Sequence, residues 1–139
     1  MKRILTTILM AVGITCPFVA NLAAQGNQMT ADVPFAFVTN NSSMPAGHYD
    51  LKQWGAAGSQ FLLRAASGKG VFAQLGVRQE GKPNQPSLTF ACYGKDCVLV
   101  KITPPGSEAS YAASRESIEK NLHHTMGISS LVSVKLMVR

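Results

Sequence analysis

Ser87-Leu88-Thr89-Phe90-Ala91-Cys92-Tyr93-Gly94-Lys95-Asp96-Cys97-Val98-Leu99-Val100-Lys101-Ile102-Thr103 decides the fold class. It reads as two strands, Ser87 to Tyr93 and Cys97 to Thr103, around a tight turn. If Gly94-Lys95 forms a two-residue type II′ turn, where glycine takes the first position, Tyr93 and Asp96 close the hairpin. Cys92 and Cys97 then become the next, non-hydrogen-bonded pair, with Cα atoms about 4.5 Å apart. That separation is within disulfide range. The spacing is CxxxxC rather than the redox CxxC, and a metal site at these two thiols needs further ligands. A Cys92–Cys97 disulfide is the favoured reading, against two free thiols or functional thiols.

Upstream, the chain repeats the same grammar. Val33, Phe35 and Phe37 alternate with Pro34, Ala36 and Val38, and Pro34 places this run at a strand start or a sheet edge. Turn residues fill Asn40 to Gly47. A second strand spans His48 to Trp54, with Tyr49 and Leu51 on one face and Asp50 and Lys52 on the other. A third covers Gln60 to Ala65. A fourth covers Val71 to Arg78, with Val71, Ala73, Leu75 and Val77 sharing a face. The polar Gln79 to Pro86 stretch reads as an exposed loop.

Downstream, Pro104-Pro105-Gly106 ends the series, because neither proline can donate to a ladder. Ala109 to Leu122 then reads as a helix, with Tyr111, Ile118 and Leu122 roughly on one face, and Gly127 as its stop. Ile128 to Val138 returns to period 2. The expected fold is mainly β: an antiparallel meander curled into a small partly closed barrel or a sandwich, with one C-terminal helix followed by a final strand. The barrel is favoured, with the terminal strand returning to pair with an early one.

The first 24 residues read differently. Lys2 and Arg3 precede an apolar stretch from Ile4 to Ala20, and small residues follow. This is the pattern of a secretory signal peptide, with cleavage expected between Ala24 and Gln25 and a near alternative after Gly26. An uncleaved anchor and a lipoprotein at Cys16 are the competing readings, but Thr15 is a poor lipobox neighbour. The organisation is therefore residues 1–24 as leader and 25–139 as a single β-rich domain. No transmembrane span is expected in that mature chain, and its place is secreted or periplasmic.

The leader alters the meaning of the charge. The whole chain of 139 residues carries 13 Lys+Arg against 7 Asp+Glu, a formal charge of +6. Without Lys2 and Arg3 the balance is +4, and the remaining basic residues are scattered. No basic block tracks a phosphate backbone, so nucleic acid is not an expected partner.

No catalytic, cofactor-binding or metal site is expected. His123 and His124 are adjacent and cannot point the same way from a helix or strand; with His48 they do not make a ligand set. There is no GxSxG elbow, phosphate loop, HExxH or EF-hand pattern. Trp54, beside the Gly55-Ala56-Ala57-Gly58 turn, is expected to cover the barrel mouth, against the competing reading of an exposed binding platform. Asn40 to Ser43 contains two Asn-x-Ser matches, relevant only in a glycosylating host.

Ala31-Asp32-Val33-Pro34-Phe35-Ala36-Phe37-Val38, followed by Met44-Pro45-Ala46-Gly47-His48-Tyr49, resembles the VPFxF…PAGxY opening of a family of small secreted proteins abundant in acidobacteria. Weaker matches extend through Leu62-Leu63-Arg64, Leu88-Thr89-Phe90 and the Ser114 to Leu122 segment. The resemblance implies an exported bacterial β protein and transfers no catalytic or binding residue. Cys92 and Cys97 depart from its pattern. The functional expectation is a non-enzymatic exported β module that binds an unknown ligand or protein partner. The alternative is a structural or envelope-interaction protein using the Ile128–Val138 strand as an exposed sheet edge.

Overall fold

A computed structural model of the chain describes residues 28–55, 57–122 and 130–139. The expected leader and its expected cleavage site at Ala24/Gln25, together with Cys16, His123, His124 and Gly127, lie outside the described residues. The strands in chain order are β1 (Met29–Val33), β2 (Phe37–Thr39), β3 (Ser42–Met44), β4 (Gly47–Trp54), β5 (Gln60–Ala65), β6 (Gly70–Gln74), β7 (Val77–Glu80), β8 (Ser87–Tyr93), β9 (Asp96–Thr103) and β10 (Ala109–Ala112). The helix α1 (Arg115–Leu122) follows, then β11 (Ser130–Lys135) and β12 (Met137–Val138).

The fold is mainly β, as expected. One sheet has the order β12-β1-β4-β5-β6, and the second β11-β8-β9-β10-β7 with the β2–β3 hairpin attached to β9. The ladders are antiparallel except the short β2–β9 contact at Val38 and Val98. Inward side chains of both sheets fill the space between them. Tyr49, Phe37, Phe61, Phe90, Met29 and Met44 are the largest, all essentially without solvent contact. Phe37 sits edge-on to both Tyr49 and Phe90, with ring centroids 5.3 and 5.1 Å away, a favoured geometry for the ring quadrupoles.

Three alternations that read as single strands are each broken by a bend, and their two halves belong to different sheets. Val33–Val38 divides at Pro34-Phe35-Ala36 between β1 and β2. Val71–Arg78 divides at Leu75-Gly76 between β6 and β7, so Gln79 and Glu80 are strand rather than loop. Ile128–Val138 divides at Leu136 between β11 and β12. Leu75 and Leu136 stay buried at their bends. Their N–H groups are taken by the Ser59 and Pro86 carbonyls at 2.9 and 3.0 Å. Strands that switch sheets at corners are the usual route from a sandwich toward a barrel. The ladders do not close, so the form lies between the two. The returning terminal strand pairs with an early one: β12 lies against Met29 and Thr30 of β1.

The helix starts later than expected, at Arg115 rather than Ala109. Ala109–Ala112 is a strand between β7 and β9, and Tyr111 therefore shares no helical face with Ile118 and Leu122. Alanine is a strong helix former, but intrinsic propensity is small beside tertiary context, and pairing with two neighbouring strands overrides it. Ser114 is the actual helix start: its Oγ accepts the Ser117 N–H at 3.2 Å, an N-cap.

The decisive hairpin forms as read. Gly94 has φ of +64° while Lys95 is not among the residues with positive φ, the signature of type II′. Cys92 and Cys97 are register partners and are disulfide-bonded, with Cα atoms 4.0 Å apart. One further device was not legible. The register slips between Thr89 and Phe90, whose partners are Lys101 and Leu99. Val100 is thus a bulge residue, and its carbonyl is captured by the Ala113 N–H at 2.8 Å. The extra residue resets the alternation, so Cys97, Leu99 and Ile102 all face the core while Lys101 faces out.

Candidate binding face of the five-stranded sheet

Side chains of both sheets fill the interior, and two clefts open at the surface. One cleft, of ≈ 290 Å³, opens where α1 meets the β2–β3 turn, above Leu75 and Leu99. Two of its polar side chains, Asn121 and Ser114, are engaged in the fold. Asn121 Oδ1 accepts the Asn41 N–H at 2.6 Å, and its Nδ2 donates to the Ser117 carbonyl at 2.8 Å. Ser114 caps the helix. Asn40 and Asn41, with φ of 47° and 57°, form the type I′ turn that brings this N–H to Asn121. The arrangement is a seam that ties α1 to one end of the sheets.

The outer face of the five-stranded sheet is different. Alternation on β4, β5 and β6 sends Tyr49, Leu51, Phe61, Leu63, Val71 and Ala73 inward. The same alternation sends Asp50, Lys52, Trp54, Leu62, Arg64 and Phe72 outward. Register places Lys52 opposite Leu62 and Leu62 opposite Phe72, with Trp54 opposite Gln60 in the next row. Trp54 and Phe72 thus meet diagonally across β5, with ring centroids 6.4 Å apart and planes at 70°. Their exposures of 50% and 46% show that neither ring is needed to seal the core. Trp54 therefore does not cover a barrel mouth; it stands on the outer sheet face.

Beside it lies a cleft of ≈ 270 Å³ lined by Gln28, Asp50, Leu51, Lys52, Trp54, Leu62 and Arg64. The Lys52 ammonium is 5.6 Å from the centre of the Trp54 ring, a cation–π distance. Asp50 is directly opposite Arg64 in register, yet its carboxylate pairs with Arg139 at 3.4 Å. Among the described residues neither Lys52 nor Arg64 has a carboxylate within ion-pair distance. At the far side of the face His48 Nδ1 and Asp32 Oδ1 are 2.7 Å apart across β1 and β4, which makes this histidine half of a surface pair.

Among the described residues no group of three or more His, Cys, Asp or Glu side chains converges as a metal site, and no helix is long and apolar enough to cross a membrane. Of the residues singled out in the sequence, the structure joins Cys92 to Cys97 and exposes Trp54. Lys52, Leu62, Arg64 and Phe72 were not singled out. Their one sequence signal is Phe72, a large apolar residue on the face opposite Val71 and Ala73. Which residues stand beside it depends on strand register, which alternation does not specify. Comparison of the chain with protein-family models, with curated proteins and with solved structures finds no match to any of them.

Proposed function

We propose that the chain is an exported, non-enzymatic β module that binds a ligand in the periplasm or outside the cell, using the outer face of its five-stranded sheet. The observation that supports this is the half-exposed Trp54–Phe72 pair beside a cleft whose two cations, Lys52 and Arg64, have no carboxylate partner among the described residues. Apolar surface clustered in this way marks an interaction site more often than scattered apolar residues do. The leader-like N-terminus and the cystine fit export to an oxidising compartment.

Trp54 is the sole tryptophan, so its emission reports directly on the face. The mature protein titrated with a panel of neutral and acidic oligosaccharides and short peptides should show a saturable emission change with at least one class. Phe72→Ala, at an exposed position, should weaken it several-fold while leaving the circular dichroism unchanged. Emission unmoved by every member of the panel sinks this reading.

A second reading has its own support. The outer side of β11 has no ladder partner among the described residues, and Leu131 is 70% exposed. An edge of this kind accepts a strand from another chain. Concentration-dependent association that Val132→Pro abolishes would favour a structural role through this edge; a monomer at all concentrations would count against it.

A further inference from the structure

We propose, building on the binding role assigned to the outer sheet face, that the occupant of its cleft is a hexuronate unit of an acidic polysaccharide. Three features select it. The first is shape: a pyranose presents a flat face of C–H bonds that stacks on an aromatic ring, and Trp54 forms one wall with Leu62 beside it. The second is polarity. Asp50 accepts hydrogen bonds, Gln28 both accepts and donates, and Lys52 and Arg64 donate, which matches the mixed demands of vicinal hydroxyls. The third is charge. At the cleft, Lys52, Arg64 and Arg139 stand against the carboxylate of Asp50, and only Arg139 is paired with it; the other carboxylate of the face, Asp32, lies at its far side and is taken by His48. The surplus cations suit one carboxylate on the ligand, which a hexuronate carries and a neutral hexose lacks.

Size narrows the choice further. A volume of ≈ 270 Å³ is below the roughly 300 Å³ at which drug-sized sites begin. The cleft therefore takes about one sugar ring, with neighbouring units of a chain running over the sheet toward Phe72. A single-stranded nucleic acid would instead need a longer basic groove with successive stacking rings. This face offers a single aromatic pair.

The test compares tetragalacturonate with a neutral galactose tetramer and with an eight-residue oligo-dT, all against the mature, oxidised protein. Trp54 emission and calorimetry are the readouts. Tetragalacturonate should bind at least tenfold more tightly than the neutral tetramer, and raising the salt should shrink that advantage. Lys52→Gln and Arg64→Gln should each lower the acidic affinity about tenfold, as loss of a charge-assisted hydrogen bond implies, and lower the neutral one by much less. Trp54→Ala, followed by calorimetry, should lose both. Equal or tighter binding of the neutral tetramer overturns the hexuronate assignment while the sheet face remains a binding site. Tighter binding of oligo-dT overturns it in favour of nucleic acid. Absence of binding by all three overturns the assignment as well, and the broader panel then decides whether the face binds anything.

Discussion

Phe37 is the residue on which the interior turns. It lies at the start of a three-residue strand, touches rings from both sheets, and is 1% exposed. Phe37→Ala should cost about 3–5 kcal/mol, a large share of a small domain's stability, measured by urea unfolding. Tyr49 is a second such residue. Its ring is buried and its hydroxyl donates to the Pro45 carbonyl, closing the turn that Gly47 opens with φ of +150°. Burial pushes the Tyr49 phenol above its ordinary value. A proton held more tightly in the folded state means stability that is complete below the unfolded phenol value and falls as pH rises through the folded one. Unfolding free energy should therefore drop above about pH 10, and less steeply in Tyr49→Phe. A pH series of denaturation midpoints checks this. Two glycines make a contrast. A Cβ at Gly81 would stand 2.8 Å from the Ala109 carbonyl carbon, while at Gly76 nothing lies within 4 Å and φ is not positive. Gly81→Ala should destabilise by forcing backbone apart at the β7–β10 junction. Gly76→Ala should be neutral or stabilise by up to about 1 kcal/mol through the unfolded chain. Thermal melts of the two variants, side by side, separate these outcomes.

At the scale of elements, the β8–β9 hairpin was the most legible part of the chain, because its turn, closing pair and disulfide are consequences of local backbone geometry. The disulfide closes a short loop, so its entropic contribution is modest: reducing it should lower stability by about 2 kcal/mol without unfolding the protein, as comparison of oxidised and phosphine-reduced samples in urea would show. The α1 helix was legible in type but not in where it starts. Its Arg115–Glu119 and Glu116–Lys120 pairs, at 3.0 and 2.8 Å, are the local support that Glu- and Lys-rich sequence advertises. The residues before Ser114 have alanine content typical of a helix and become a strand because β7 and β9 each offer a free edge. The bulge at Val100 escaped for a related reason. Val98-Leu99-Val100 is uniformly apolar, so the alternation carries no mark of where the phase is reset.

At the scale of the whole molecule, the three bent strands matter most. Period-2 alternation runs smoothly up to each bend because the bend residue itself points inward. Nothing in the pattern therefore distinguishes one strand of eleven residues from two strands in two sheets. Gly76 and Pro34 are the two marks available, and Leu136 has none. These corners carry the chain directly from one sheet to the other, so the two sheets should unfold as one cooperative unit. Leu136→Ala, at a buried corner far from Trp54 in sequence, should cost about 2–5 kcal/mol. Trp54 emission, reporting on the five-stranded sheet, and far-ultraviolet dichroism, reporting on both sheets, should still give coincident transitions. Separate transitions would mean the sheets unfold independently and the corners do not couple them.

The sequence by itself determined the fold class, the cystine hairpin, most strand bodies and the inward residues, because turn chemistry and alternation act over a few neighbouring residues. The tertiary structure alone decided which strand halves share a sheet and that Ala109–Ala112 is a strand. It alone placed Trp54 on an outer face beside Phe72, Lys52 and Arg64. Those outcomes depend on register between segments far apart in the chain. A shift of one residue would send the same side chains to the opposite face, and no local pattern holds that information.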